Sequence, residues 1–269
     1  MNGKYINSWI EIAIKDLEVS ELLYKNKMYS NSFYHFQQAS EKSLKAYLFL
    51  NKTFKVEKDA KNVSHFMLEP FKKSIKENQE NISKGIELGL DVLFDNSLIN
   101  SYTEDLKKSL DFLPKKNEVY EYSGKILEQI LTILEEFKTY KIKFQEIPVN
   151  VVKEKINSLF DNFSKFNPIE LEVLRHQFNV FIDSEEQYIN FLTNCKNETQ
   201  RNLKEYYFVL ILYYSNLISH NHNNLTRYPD SEFNPLKYYN LKRPLIKKLP
   251  EFIKLLKSSL IHLKRLNSL

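Results

Sequence analysis

The chain has 269 residues, enough to bury the core of one large domain or of two small ones. Four glycines are too few for a fold rich in tight β-turns, and a single cysteine excludes an internal disulfide framework. The longest apolar run, residues 206–214, is about half the length that a membrane-crossing helix needs. Because the N-terminus also shows no signal-peptide pattern, we expect a cytoplasmic protein without a membrane segment.

Apolar residues recur at intervals of three and four through nearly every segment, which predicts an all-α fold. The first helix is expected from about residue 5 to 26. The second is expected to follow a cap at Ser30–Ser32 and to end near Asn51, before a loop over 52–62. Further helices are predicted from Ser64 through about Phe94, and over 102–112, 120–144, 151–166, 169–182, 185–192 and 199–219, with a short turn over 233–239 and a last helix from about Pro250 to Leu266.

The second predicted helix carries an unusual set of polar and small residues. It contains Phe33, the pair Gln37–Gln38 and the run Ala39-Ser40-Glu41-Lys42-Ser43-Leu44-Lys45-Ala46. An amphipathic helix needs only an apolar stripe, so a specific polar set indicates a further constraint. The small residues Ala39, Ser43 and Ala46 would let another helix approach closely, and Glu41 and Lys45 have the spacing of a stabilising pair.

This run resembles the second helix of HEPN domains (higher eukaryotes and prokaryotes nucleotide-binding). Three other segments are similar to motifs of the same family, in the same order along the chain: Trp9, Ala13, Asp16 and Leu17 in the first helix, Ser64–His65 at the head of the third, and Arg227-Tyr228-Pro229-Asp230 before the last helix. The resemblance implies an antiparallel helical bundle with additional inserted or appended helices. It also implies a homodimer, for which the small residues of the second helix are candidates.

The opening and closing motifs are separated by more residues than a HEPN bundle contains. One interpretation joins residues 1–80 and 200–269 into a single bundle with a helical insertion over 81–199. The alternative is a tandem of two helical domains, 1–147 and 148–269, divided near Pro148. The insertion is slightly favoured, since no sequence repeat relates the two halves.

The site that makes some HEPN proteins ribonucleases is not visible in this sequence. Catalytic members carry an arginine followed, after four to six residues, by a histidine that performs acid–base chemistry. None of the arginines at positions 175, 201, 227, 243 and 265 has a histidine at that distance. The activity therefore cannot be transferred from the resemblance, and an enzyme is the less favoured interpretation.

A polar loop after the apolar run is the alternative catalytic candidate. His220, His222 and Arg227 would form an unorthodox, metal-independent ribonuclease site there, since loops carry function more often than cores do. The competing interpretation is a helix C-terminus, where histidine suits the dipole and the free carbonyl groups. No third suitably spaced ligand accompanies the two histidines, so we expect no metal site and no cofactor.

Basic residues are concentrated at the end of the chain. Residues 237–269 contain nine cations against Glu251 alone, whereas the whole chain carries a net charge of +5, so the remainder is slightly acidic. Such asymmetry indicates an anionic partner, and nearby tyrosines offer rings on which bases can stack. The predicted nucleotide- or RNA-binding residues are Arg227, Tyr228, Tyr238, Lys242, Arg243, Lys247 and Lys248. A solvated lysine face is the competing interpretation.

Two further groups are interpreted as structural. Asp16, Gln38 and Glu41 are expected to form a polar network between the first two helices, while His35 packs in the second helix and His65 helps to cap the third. The resulting functional hypothesis is a non-catalytic HEPN-like protein that binds nucleotide, RNA or a partner protein. The resemblance implies a defence or toxin–antitoxin-like setting and a nucleotidyltransferase-type partner protein.

Overall fold

The computed structural model describes residues 3–63, 67–74, 121–141, 148–162, 168–220 and 222–268. Every regular element within these ranges is an α-helix, which confirms the all-α prediction. Helix α1 is Gly3–Lys25, α2 is Tyr29–Leu50 and α3 is Glu57–Val63, and residues 68–74 form α4. The remaining helices are α5 (Gly124–Thr139), α6 (Val149–Asn162), α7 (Pro168–Asp183), α8 (Glu185–Ser219), α9 (His222–Leu225), α10 (Pro235–Tyr238) and α11 (Pro244–Leu266).

The chain divides into two compact units. The first comprises Met1–Ile75, Leu110–Lys138 and Glu205–Leu269, and the second comprises Lys76–Ser109 and Thr139–Lys204. The predicted bundle with its insertion, and the tandem alternative, both stay predictions. The helices predicted through about residue 94 and over 102–112, together with Ser64 and His65, lie outside the described residues.

The core of the first unit forms between α1, α2 and α11. From α1 it takes Ile10, Ala13 and Leu17, and from α2 it takes an apolar stripe that includes Phe33 and Phe36, all of them buried. Burial of each large side chain contributes roughly 1.5–3 kcal/mol to folding. The polar residues of this contact are satisfied in pairs, since the hydroxyls of Ser20 and Ser32 each donate to the other's carbonyl oxygen at 2.8 Å.

Three predicted helix boundaries were wrong, each for a local reason. The residues between Leu192 and Thr199 are polar but contain neither proline nor glycine, so α8 continues where a break was expected. The last helix begins at Pro244 rather than Pro250, which lies inside it, because Leu245, Ile246 and Leu249 extend the buried stripe by two turns. The expected loop over 52–62 contains α3, whose start is held by Asp59, an acceptor for the backbone N–H groups of Lys55 and Val56.

The expected cap of α2 is also replaced by a different arrangement. The helix begins at Tyr29, and Met28 precedes it without a side-chain cap. Lys27 has φ of 62° and Lys52 has φ of 64°, so lysines close α1 and α2 in the left-handed conformation that glycine usually adopts. The chain thus uses two of its many lysines at positions where other proteins use glycine.

The second unit has a smaller core of its own. Val152 of α6 and Ile182 of α7 are buried, and Phe178 and Phe191 pack against them. Lys153 and Asp183 form an ion pair between α6 and α7. The side-chain amides of Asn157 and Asn179 lie within hydrogen-bonding distance at 3.3 Å between the same two helices.

Two of the predictions concern the surface of the protein. Within the described ranges, no helix combines the length and the apolar character needed to cross a membrane. Ala39, Ser43 and Ala46 are fully buried within one chain, so a homodimer interface would have to use other residues. The homodimer itself stays a prediction.

Candidate functional site

The two histidines of the polar loop lie inside the protein. His220 is 8% exposed and His222 is 2% exposed, so neither ring is presented to a large ligand. Nδ1 of His222 lies 2.7 Å from the hydroxyl of Tyr239, and the ring meets the aromatic face of Phe33 edge-on. Burial raises the pKa of Tyr239, which therefore keeps its proton and can donate it to the imidazole. This arrangement is that of a packed histidine.

Arg227, seven residues after His220, is by contrast exposed. Its Cζ lies 5.0 Å from the ring centroid of Tyr34 and 4.8 Å from that of Tyr228, so the cation contacts two aromatic rings. Its Nε donates to the backbone carbonyl of Asn223 at 3.2 Å. Among the described residues no carboxylate forms an ion pair with Arg227. The guanidinium is thus held in position while its charge stays available.

A polar network on α1 and α2 leads to the same loop. The carboxylate of Asp16 accepts from Nζ of Lys42 at 2.5 Å and lies 3.2 Å from Nδ1 of His35. Lys42 also donates to the side-chain carbonyl of Gln38 at 3.1 Å, and the Gln38 amide reaches Oδ1 of Asn223 at 3.5 Å. The expected link between Asp16 and Gln38 is therefore present, with Lys42 as its centre.

The charge state of this network follows from the surroundings of Asp16. Burial tends to raise the pKa of this carboxyl, but hydrogen bonds from His35 and Lys42 outweigh burial and hold the pKa below its usual value. Asp16 is consequently ionised at neutral pH. Glu41 pairs with Lys45 at 2.6 Å, as their spacing predicted, and this largely buried pair lies beside the ring of Trp9.

Together these contacts define one surface, which we call the Arg227 surface. It consists of Tyr34, His35, Lys42, Arg227 and Tyr228. The Arg227 guanidinium suits phosphate oxygens, and the exposed ring of Tyr228 offers a face to a base. Of these residues, only Arg227 and Tyr228 were predicted from the sequence to contact a ligand. Tyr34, Gln38 and Lys42 recur every four residues on α2, and this spacing was the signal that could have identified their common face.

A second group contains Tyr238 and Arg243, which were also predicted from the sequence as binding residues. Nη1 of Arg243 donates to both carboxylate oxygens of Glu121, at 2.8 and 2.9 Å, and the hydroxyl of Tyr238 donates to the same carboxylate. The guanidinium Cζ lies 4.1 Å from the Tyr238 ring centroid. Partial burial and then the Glu121 carboxylate raise the pKa of Tyr238 to about 12. Glu121 was not anticipated from the sequence.

The other residues predicted to bind nucleotide or RNA are the lysines of the C-terminal segment. Lys248 lies 3.3 Å from Glu251 and 3.6 Å from Glu128, so carboxylates compete for its charge. Lys242 and Lys247 are exposed and form no ion pair with any described residue. Within the ranges that the structure describes, no group of three or more histidine, cysteine or carboxylate side chains is arranged to hold a metal ion.

Comparisons with known proteins identify the opening part of the chain. Residues 6–137 match the sequence model of the HEPN domain, a range that includes α1 and α2 but not Arg227–Asp230. A stretch of 50 residues is 48% identical to the Methanocaldococcus jannaschii protein named "Putative toxin MJ1304", covering 19% of this chain and 33% of that protein. The match therefore spans about a third of the relative's length. No solved structure matches the chain. The family comparison confirms the resemblance read from the motifs of the first two helices, since residues 6–137, just under half of the chain, match the HEPN domain model.

Proposed function

We propose that this protein binds single-stranded RNA on the Arg227 surface and does not cleave it. The observation that carries the proposal is the contrast within one loop: Arg227 is exposed between two tyrosine rings, whereas His220 and His222 are buried. A residue that binds phosphate needs an available charge, and Arg227 has one. A general base must instead approach a ribose hydroxyl to within about 3 Å, which the burial of both histidines opposes.

The chemistry of the surface suits a polymer with both phosphates and unpaired bases. Arg227, whose charge no described carboxylate neutralises, supplies charge-assisted donors for phosphate oxygens. Tyr228, which is 60% exposed, supplies a stacking face, and stacking on an aromatic side chain contributes roughly 1–3 kcal/mol per base. Bases in a duplex are already stacked on one another, so the surface favours single strands.

The biological setting follows from the relative's name and is part of the proposal. The similarity to a protein named as a toxin supports a toxin–antitoxin-like role for this chain, in which RNA binding is controlled by a partner protein. A nucleotidyltransferase-type partner and a homodimer remain compatible with this role.

The experiment measures the affinity of a short fluorescein-labelled oligouridylate by fluorescence anisotropy, in the presence of EDTA. Arg227→Gln should weaken binding about tenfold, because it removes a charge-assisted hydrogen-bond donor. Arg201→Gln is the matched control, since Arg201 is exposed and paired with Glu198 at 2.6 Å, and its affinity should stay within about twofold of the wild type. Tyr228→Ala should weaken oligouridylate binding more than heparin binding, because heparin has no bases to stack on the ring.

Two outcomes would overturn the proposal. Equal oligouridylate affinity of the wild type and Arg227→Gln would show that the exposed guanidinium is only solvated. Cleavage of the RNA by the wild type that is lost in a folded His222→Ala variant would instead establish the ribonuclease. Gel analysis of the recovered probe distinguishes intact from cleaved RNA in the same samples.

A further inference from the structure

We propose that Arg243 and Tyr238 form a second phosphate-binding site, which the carboxylate of Glu121 occupies until RNA displaces it. This proposal rests on the RNA binding proposed above and adds both a site and a residue that limits its use. All three side chains belong to the first compact unit.

The geometry is that of a cradle for one anion. Three donor contacts converge on the Glu121 carboxylate: two from Nη1 of Arg243, at 2.8 and 2.9 Å, and one from the Tyr238 hydroxyl. The Tyr238 ring supports the guanidinium from one side, with Cζ 4.1 Å from the ring centroid. The guanidinium thereby keeps a fixed orientation, and less rotamer freedom is lost when an anion binds.

A phosphate diester can replace this carboxylate without rebuilding the site. Both groups offer two oxygen atoms that carry negative charge, and Nη1 of Arg243, which here contacts both carboxylate oxygens, can donate to the oxygens of either group. The Tyr238 hydroxyl can donate to either oxygen type. Glu121 is a weak occupant, because its side chain is 58% exposed and that of Arg243 is 40% exposed, and exposed ion pairs contribute little.

The neighbouring cations make the site suitable for a polyanion rather than for a single carboxylate. Lys237, Lys242 and Lys247 surround it in the sequence, and all three are exposed and form no ion pair with a described residue. An RNA strand that displaces Glu121 would gain these charges along its backbone. Glu121 would then lower the affinity for RNA in proportion to how well it competes for Arg243.

The test uses the full chain and the same labelled oligouridylate. Glu121→Gln should tighten RNA binding about fivefold to tenfold, because it removes the competing anion from a charged donor. Removing any exposed carboxylate raises the net charge by one and improves RNA binding slightly, so a control is needed. Glu18→Gln provides it, because Glu18 lies on α1 in an exposed pair with Lys15 and loses the same charge. The control should change the affinity by less than about twofold.

A double variant then tests whether the increase in RNA affinity depends on Arg243. In an Arg243→Gln background, Glu121→Gln should change the affinity no more than Glu18→Gln does, because no guanidinium is left to release. Circular dichroism of each variant confirms that the helices remain. The Glu121 side chain is exposed, so loss of the fold is not the expected result.

The outcomes separate this inference from the RNA-binding proposal. If the wild type binds RNA through Arg227 but Glu121→Gln matches Glu18→Gln, the second site is refuted and the Arg227 surface stands. If the gain persists undiminished without Arg243, Glu121 acts only through overall charge and the cradle is refuted. If neither the wild type nor Glu121→Gln binds RNA, both proposals fall together.

Discussion

The hydroxyl of Ser30, at the start of α2, donates a hydrogen bond of 2.6 Å to the carbonyl oxygen of Thr226. Both residues are almost completely buried, so water cannot replace either partner. Thr226 in turn donates through its own hydroxyl to the carbonyl oxygen of His222 at 2.9 Å. The Ser30 hydrogen bond thereby attaches Thr226, the residue before Arg227, to α2. It fixes the backbone position from which the exposed Arg227 side chain extends.

Replacing Ser30 by alanine should therefore destabilise the first unit. The buried carbonyl of Thr226 would lose this donor, which costs about 1–3 kcal/mol of the free energy of unfolding. Urea denaturation followed by circular dichroism measures the loss. Ser8→Ala is the matched control, because Ser8 is exposed and donates only to Lys4 within α1, and it should change the free energy by less than about 0.5 kcal/mol. Equal losses in the two variants would contradict the structural role of the Ser30 bond.

Removing the hydroxyl of Tyr239 should also lower stability while leaving the ring packing intact. Tyr239→Phe deletes the hydrogen bond to Nδ1 of the buried His222, at an expected cost of about 1–3 kcal/mol. Tyr228→Phe serves as control because the Tyr228 side chain is largely exposed, and it should be nearly neutral. The same urea experiment applies. A neutral Tyr239→Phe would mean that His222 does not depend on this bond.

The pKa of Asp16 leads to a pH-dependent prediction. Despite partial burial, hydrogen bonds from His35 and Lys42 hold the folded-state pKa below the ordinary value of 3.8. A depressed carboxyl pKa contributes stability that is present above the unfolded-state pKa and is lost as the pH falls through the folded-state pKa. The wild type should therefore be more stable than Asp16→Asn at neutral pH. The difference between their free energies of unfolding should shrink as the pH falls below about 4. The measurement is urea denaturation over a pH series. A difference in free energy of unfolding that stays constant with pH would contradict the prediction.

The pKa of Tyr238 should respond to the contact between its hydroxyl and the Glu121 carboxylate. The pKa of Tyr238 is raised to about 12 by burial and by the Glu121 carboxylate, while Arg243 lowers it. Glu121→Gln should thus lower the pKa of Tyr238, and Arg243→Gln should raise it. Carbon-13 NMR of labelled tyrosine rings, titrated from neutral to alkaline pH, follows each phenol separately. Shifts of the same sign in both variants would be incompatible with the observed contacts.

Lys27, with φ of 62°, offers a stabilising substitution. The left-handed conformation costs a residue with a Cβ atom about 1 kcal/mol or more, and glycine avoids this cost. Lys27→Gly should therefore raise the free energy of unfolding relative to Lys27→Ala, which keeps the Cβ and loses the same charge. If alanine is as stable as glycine in urea denaturation, Lys27 is not strained.

The helices were predictable because periodic apolar residues record which face is buried. The helix boundaries were harder to predict, because tertiary contacts determine where each helix begins and ends. Pro244 and Pro250 both suit a first turn, and the choice between them depends on whether Leu245 and Leu249 find a core. Ser30 has the chemistry of a cap, yet its hydroxyl bonds a carbonyl 196 positions away, which no local pattern records.

The site was predictable only where its members are neighbours in the sequence. Arg227 and Tyr228 are adjacent, and their contact follows from the local chain. Glu121 lies 122 positions from Arg243, and nothing in its own segment indicates an arginine partner. The burial of His222 could not be predicted for a related reason: its loop is polar in sequence, but Tyr239 and Phe33 cover the ring in three dimensions.

The contacts of Asp16 have a consequence for the register of the first two helices. His35 and Lys42 lie about two turns apart on α2, and both reach the same carboxylate on α1. A slide of either helix by one turn, about 5.4 Å, exceeds the length of a hydrogen bond and would break both contacts. Tyr34 stands on the same helix as these two anchors. An RNA strand bound as proposed across α2 and Arg227 would therefore meet a fixed spacing of the Tyr34 ring and the Arg227 guanidinium.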